Sequence, residues 1–142
     1  MTDAEFVHAY EIAGSDFTNA GRASTSIKET LKDMGLASAL IRRVAIAAYE
    51  AEMNTVMYAR HATMTLHVTP ASVTIDVRDE GPGIPDIPLA MQEGYSTATP
   101  EMREMGFGAG MGLPNIKRNT DSLVVTSEVN RGTALVMTVH VS

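Results

Sequence analysis

Hydrophobic positions along this chain switch between two periods. In residues 4–13, Phe6, His8, Tyr10 and Ile12 share one parity, which predicts a first strand ended by Gly14. From 17 to 34 the spacing becomes three and four, through Phe17, Ala20, Ala23, Ile27, Leu31 and Met34. That pattern predicts a helix capped by Asp16 and stopped by Gly35. A longer helix is predicted over 37–60, rich in Ala and free of Gly and Pro, with Ile41, Val44, Ala48 and Ala51 on one stripe. Its small residues imply close packing against a neighbour. Period two returns over 63–69 around Met64, Leu66 and Val68. After a turn at Pro70-Ala71 it resumes, with Val73, Ile75 and Val77 alternating with Thr74, Asp76 and Arg78. A third helix starts at 110–112 and runs to about 120. Residues 122–129 and 133–141 then form a hairpin through Asn130-Arg131-Gly132. Strands joined by short turns, with helices to cover one face, predict an α+β fold: a two-layer sandwich of three helices on a mixed, mostly antiparallel sheet.

Between Asp79 and Pro114 neither period holds. The stretch opens with Asp79-Glu80-Gly81-Pro82-Gly83-Ile84-Pro85 and closes with Gly106-Phe107-Gly108-Ala109-Gly110-Met111-Gly112-Leu113-Pro114. Glycines spaced like this before a helix leave backbone N–H groups free to face an anion, and the helix dipole adds to the attraction. The polar residues between, about 86–105, are expected to form a lid. Neither the common P-loop pattern nor G-x-G-x-x-G is satisfied, because Met111 and Leu113 occupy the positions where the latter needs its third glycine.

Composition narrows the classes. At 142 residues, 44% hydrophobic, the chain is expected to be one globular domain. A net charge of −6 argues against nucleic-acid binding, since a basic face is absent. The adjacent pairs Arg42-Arg43 and Lys117-Arg118 read as solvated helix surface. No apolar run approaches the ~20 residues of a membrane span, and the acidic N-terminus does not read as a signal peptide. With no cysteine and four histidines without ligand spacing, a zinc site is not expected. A cytoplasmic location is the expectation.

Three constellations carry candidate chemistry. Glu50 and Asn54 are four apart, hence on one helix face; Glu52, two from each, is expected to point elsewhere and to matter little. An Asn oxygen can bind a hard cation such as Mg²⁺, and a Glu can accept a proton from a nucleophile; an exposed polar face is the alternative. Asp79 continues the parity of Val73, Ile75 and Val77, so it lies on the apolar side if the strand stays regular, where a carboxylate needs a donor such as an adenine amine. The alternative is an exposed turn residue beside Gly81. The third constellation is the glycine-rich helix start, with Thr133 beginning the last strand.

In this order the residues resemble the ATP-binding fold shared by gyrase B, Hsp90, histidine kinases and MutL, the GHKL or Bergerat class. Glu50-x-x-x-Asn54 resembles its N box, Asp79-x-Gly81-x-Gly83 its G1 box, Gly108-x-Gly110-x-Gly112 its G2 box, and Arg131-Gly132-Thr133 its closing Gly-Thr. The size, and the absence of an upstream phospho-accepting helix pair, select the small bacterial serine kinases of partner-switching systems. The segments around Phe17–Arg22, Asn54–Ala59 and Gly108–Pro114 look most like the stressosome switch kinase. Tyr58, where many anti-sigma kinases carry His, departs from the pattern.

The resemblance implies ATP and Mg²⁺ as ligands. Asn54 would hold the metal, and Asp79 would read adenine. Gly81, Gly83 and Ile84 would line the base, with Thr133 near it. Gly106, Gly108, Ala109, Gly110, Met111 and Gly112 would cradle the phosphates, and Arg103 would reach the γ-phosphate or stay solvated. Glu50 would orient or deprotonate a Ser or Thr hydroxyl on a STAS-domain antagonist. A PP2C-type phosphatase or a sigma factor would be a second partner, and the class leaves room for a homodimer. Two other readings stay open: a non-catalytic ATP-binding interaction module, and a detached histidine-kinase catalytic domain.

Overall fold

A computed structural model describes residues 5–92 and 112–141. Five strands form one sheet: β1 (Phe6–Ala13), β2 (His61–Val68), β3 (Ser72–Glu80), β4 (Ser122–Glu128) and β5 (Gly132–His140). Their order across the sheet is β1-β2-β3-β5-β4. Every pairing among them is antiparallel, so the expected admixture of parallel pairing is not present among the described residues. Helices α1 (Arg22–Asp33), α2 (Ser38–Tyr58) and α4 (Gly112–Asn119) cover one face; a short α3 (Ile87–Ala90) follows β3.

The core follows from the alternation in the strands. Ala62, Met64, Leu66 and Val68 of β2, Val73, Ile75 and Val77 of β3, and Leu135, Met137 and Val139 of β5 all point to the helices and are buried. Ile27 and Leu31 of α1, Val44, Ala48 and Ala51 of α2, and Ile116 of α4 close over them. The alanines of α2 let it lie near both α1 and α4, as their small volume predicts. On the opposite face the polar parity positions Thr63, Thr65, His67, Thr74, Asp76 and Arg78 line a shallow open concavity.

The first helix departs from expectation. It begins at Arg22, not at 17, and Asp16 does not cap it. The Asp16 carboxylate instead accepts from the backbone N–H of Asn19 at 3.3 Å and from its side-chain amide at 2.8 Å, closing a local turn. Gly21, at φ 99°, holds the N-cap position without a side chain to offer. The expected lid begins with α3, whose Asp86 carboxylate accepts from the Leu89 N–H at 3.0 Å; the rest of it, 93–105, lies outside the described residues.

Candidate functional site

Helix α2 organises the site. Glu50 and Asn54 are both half-buried on the side of α2 that α4 meets. Asn115 of α4 donates its side-chain N–H to Oε2 of Glu50 at 2.7 Å. One turn further along, Gly112 packs on Asn54: a Cβ there would lie 3.2 Å from Asn54 Oδ1. Among the described residues the Asn54 amide makes no hydrogen bond, so its oxygen is available to a cation. Glu50 and Asn54 thus lie under the start of the helix that follows the glycine-rich segment. Arg103, Gly106, Gly108, Ala109, Gly110 and Met111 lie outside the described residues; of the expected cradle, Gly112 alone is described.

The C-terminal end of α2, just past Asn54, meets the second group. Gly81 is buried there, and a Cβ on it would come within 3.1 Å of Ala59 Cα and 3.4 Å of Asp79 Oδ1. From Asn54 to Ala59 the helix rises about 7 Å, which sets the two groups apart along one rail. Strand β3 stays regular through Glu80, so Asp79 pairs with buried Ala62 and shares the helix-facing side. Its Oδ1 accepts the Thr133 backbone N–H at 2.9 Å. This close approach needs Gly132, where any Cβ would fall 2.0 Å from the Asp79 carbonyl oxygen. Burial pushes the Asp79 carboxyl above its ordinary value, and the Thr133 N–H offsets part of that rise. Oδ2 has no partner among the described residues and remains an acceptor for a ligand.

The loop after Asp79 is tied to the β4–β5 hairpin. Gly81 N–H donates to the Arg131 carbonyl at 3.1 Å and Asn130 N–H to the Pro82 carbonyl at 2.8 Å. Gly83 adopts φ 75° and packs against the Glu128 carbonyl, where a Cβ would intrude to 2.5 Å; only glycine meets both demands. Ile84 N–H then donates to the Ser127 hydroxyl at 2.7 Å. Ser127 donates in turn to the Gly132 carbonyl at 3.1 Å and lies 3.0 Å from the Thr133 hydroxyl. With the single Ser127 proton engaged on Gly132, Thr133 is the donor of that pair. Its remaining lone pairs are what it offers to a ligand. Asp79 and Thr133 therefore both present acceptors, suited to an amine.

Sequence reasoning missed three residues. Ser127 continues the inward parity of Leu123 and Val125, the same signal that located Asp79. Asn115 carried no signal, because its role depends on how α4 lies across α2. Glu52 was misjudged. It does point away from Glu50, but into the protein, with 3% of its surface exposed. Its carboxylate accepts the backbone N–H groups of Gly21 at 2.9 Å, Ala23 at 3.2 Å and Ser24 at 2.9 Å. It is the missing cap of α1, supplied from another helix.

Residues 15–139 match the family model described as the histidine kinase-like ATPase domain. The serine/threonine-protein kinase RsbT of Bacillus subtilis (strain 168) is 29% identical over 112 residues, covering 76% of this chain and 78% of that protein. An anti-sigma F factor from Caldanaerobacter subterraneus subsp. tengcongensis is 30% identical over 122 residues, 86% of this chain and 78% of that protein. Another, from Geobacillus kaustophilus (strain HTA426), is 40% identical over a shorter span of 70 residues, 49% of this chain and 44% of that protein.

Proposed function

Because the chain belongs to the histidine kinase-like ATPase family, we propose that it is an ATP-dependent protein serine/threonine kinase of the partner-switching type. The observation that carries this reading is the arrangement along the C-terminal half of α2: a carboxylate and a carboxamide face the helix that follows the glycine-rich segment, and the acceptors of Asp79 and Thr133 stand just beyond the helix's C-terminus. Similarity to a serine/threonine-protein kinase and to anti-sigma F factors supports a protein hydroxyl as phosphoryl acceptor.

In this reading Asp79 Oδ2 and the Thr133 hydroxyl oxygen accept from the adenine 6-amino group. Gly81, Gly83 and Ile84 border the base, held by Ser127 and Arg131. Asn54 supplies an oxygen to Mg²⁺, which neutralises phosphate charge when bound. By the resemblance of their motif, Gly106, Gly108, Ala109, Gly110, Met111 and Gly112 would cradle the phosphates, and Arg103 would reach the γ-phosphate or stay solvated. Glu50 takes the proton of an incoming Ser or Thr hydroxyl as its oxygen bonds to the γ-phosphorus and the bond to the β-phosphate oxygen breaks, releasing ADP. Phosphoryl transfer asks chiefly for such placement and charge neutralisation.

The acceptor is a STAS-domain antagonist; a sigma factor or a PP2C-type phosphatase is the partner exchanged. The test is incubation with γ-labelled ATP, Mg²⁺ and a STAS-domain protein encoded in the same genome. Acid-stable label on Ser or Thr of that protein is expected. A stoichiometric complex without label transfer would make the chain a binding module instead, and acid-labile label on His would place it with histidine kinases.

A further inference from the structure

We propose that Asn115 is a positioning residue for phosphoryl transfer, holding the Glu50 carboxylate in the orientation that receives the substrate proton. The inference rests on the reading of Glu50 given above. A Glu side chain on a helix face has three rotatable bonds, and a half-buried carboxylate with no partner samples several orientations. Here the Asn115 amide fixes Oε2 at 2.7 Å. Oε1 has no partner among the described residues, so one oxygen is anchored and the other is left to take a proton. The amide is itself oriented: Arg118 donates to its Oδ1 at 3.4 Å, which turns the NH₂ group toward Glu50. The backbone beneath is held as well, since Asn119 donates its side-chain N–H to the Asn115 carbonyl at 2.8 Å.

Holding α4 against the core does not require this bond. Leu113, Pro114 and Ile116 are buried there and anchor the helix. The polar contact at the rim adds direction to a side chain rather than cohesion between helices. It also links two parts of the site: α4 begins at Gly112, which lies on Asn54, and three residues later it sets Glu50. One short helix therefore fixes the proton acceptor and the cation-facing amide relative to each other.

Positional errors of about 1 Å at a reacting centre cost on the order of 10²-fold, and loss of one anchoring bond is a fraction of that. Asn115→Asp keeps the shape and loses the donor; Asn115→Ala removes the group, and either serves if the other folds poorly. Each is expected to lower single-turnover transfer from γ-labelled ATP to the STAS-domain acceptor about ten-fold, with ATP–Mg²⁺ affinity and acceptor KM within about two-fold of the parent. Combined with Glu50→Gln, Asn115→Ala should add no further loss, because it acts through Glu50. If the Asn115 variants transfer at the parental rate while Glu50→Gln is inactive, the positioning role is overturned and the role of Glu50 stands. Multiplying losses in the double variant would also overturn it. Parental transfer by Glu50→Gln would instead remove the reading of Glu50, and the inference with it.

Discussion

Replacing Glu52 with Gln should strongly destabilise the protein, because this buried carboxylate caps α1. Four backbone N–H groups at a helix start lack partners within the helix. In α1 these belong to Gly21, Arg22, Ala23 and Ser24. Arg22 donates to the Asn19 carbonyl at 3.2 Å, and the other three all reach Glu52. A Gln can accept with its oxygen, but its NH₂ group then faces N–H donors. At least one of the three bonds is lost, and the favourable charge at the helix N-terminus goes with it. A buried donor left unsatisfied costs about 1–3 kcal/mol, and a hydrogen bond to a charged group is worth about 1.5–3 kcal/mol. The expected loss is about 2–4 kcal/mol, a large part of the ~5–15 kcal/mol that holds a domain together. Glu52→Ala, which frees all three donors, should lose more. Urea denaturation of the two variants beside Glu50→Gln measures this directly, since half-buried Glu50 has a single hydrogen bond to lose among the described residues. A Glu52→Gln protein within about 0.5 kcal/mol of the parent would refute the capping argument.

Asp79→Asn should weaken ATP binding about ten- to a hundred-fold in calorimetric titration, since an amide donor would face the adenine amine. The same variant should be no less stable than the parent at pH 7 without ligand. Burial raises the Asp79 carboxyl in the folded state, so stability is fully present below the unfolded value and falls as pH rises through the folded one; the uncharged amide avoids that loss. Urea denaturation at pH 7 and below pH 4 checks the sign. Ser127→Ala leaves the Ile84 N–H without its partner and frees Thr133; ATP affinity should drop about five- to thirty-fold by titration, with stability falling about 1–2 kcal/mol. Glu50→Gln should keep ATP–Mg²⁺ binding and lose transfer about 10²–10⁴-fold, whereas Asn54→Ala should lose the Mg²⁺-dependent part of nucleotide affinity; label transfer and titration with and without Mg²⁺ separate the two.

Much of the fold was legible because alternation is a local property. The parity of Val73, Ile75 and Val77 reads directly onto buried positions of β3, and carried one step further it places Asp79 inward, since the strand holds its regularity to Glu80. The same rule reaches Ser127 from Leu123 and Val125, but a small hydroxyl on an apolar parity draws little notice. What was not legible depends on contacts between distant elements. Asp16 has the composition of an N-cap, yet the N–H groups of α1 are taken by Glu52, 28 to 31 residues further on. Nothing local to either residue reports that pairing. Asn115 and Glu50 are separated by 65 positions and meet only because α4 crosses α2.

The wide sequence separation around Asp79 has a consequence for when the proposed base site comes into being. Thr133 and Asp79 are 54 residues apart, and Ile84 and Ser127 are 43 apart. Closing loops of that length costs entropy before any contact compensates it. The group around Asp79 is therefore complete only once β5 has docked between β3 and β4. A chain in which β5 had not docked would lack the contacts that Thr133 and Ser127 make there. If nucleotide occupies that group as proposed, it would bind the finished fold alone and raise its apparent melting temperature with the logarithm of its concentration.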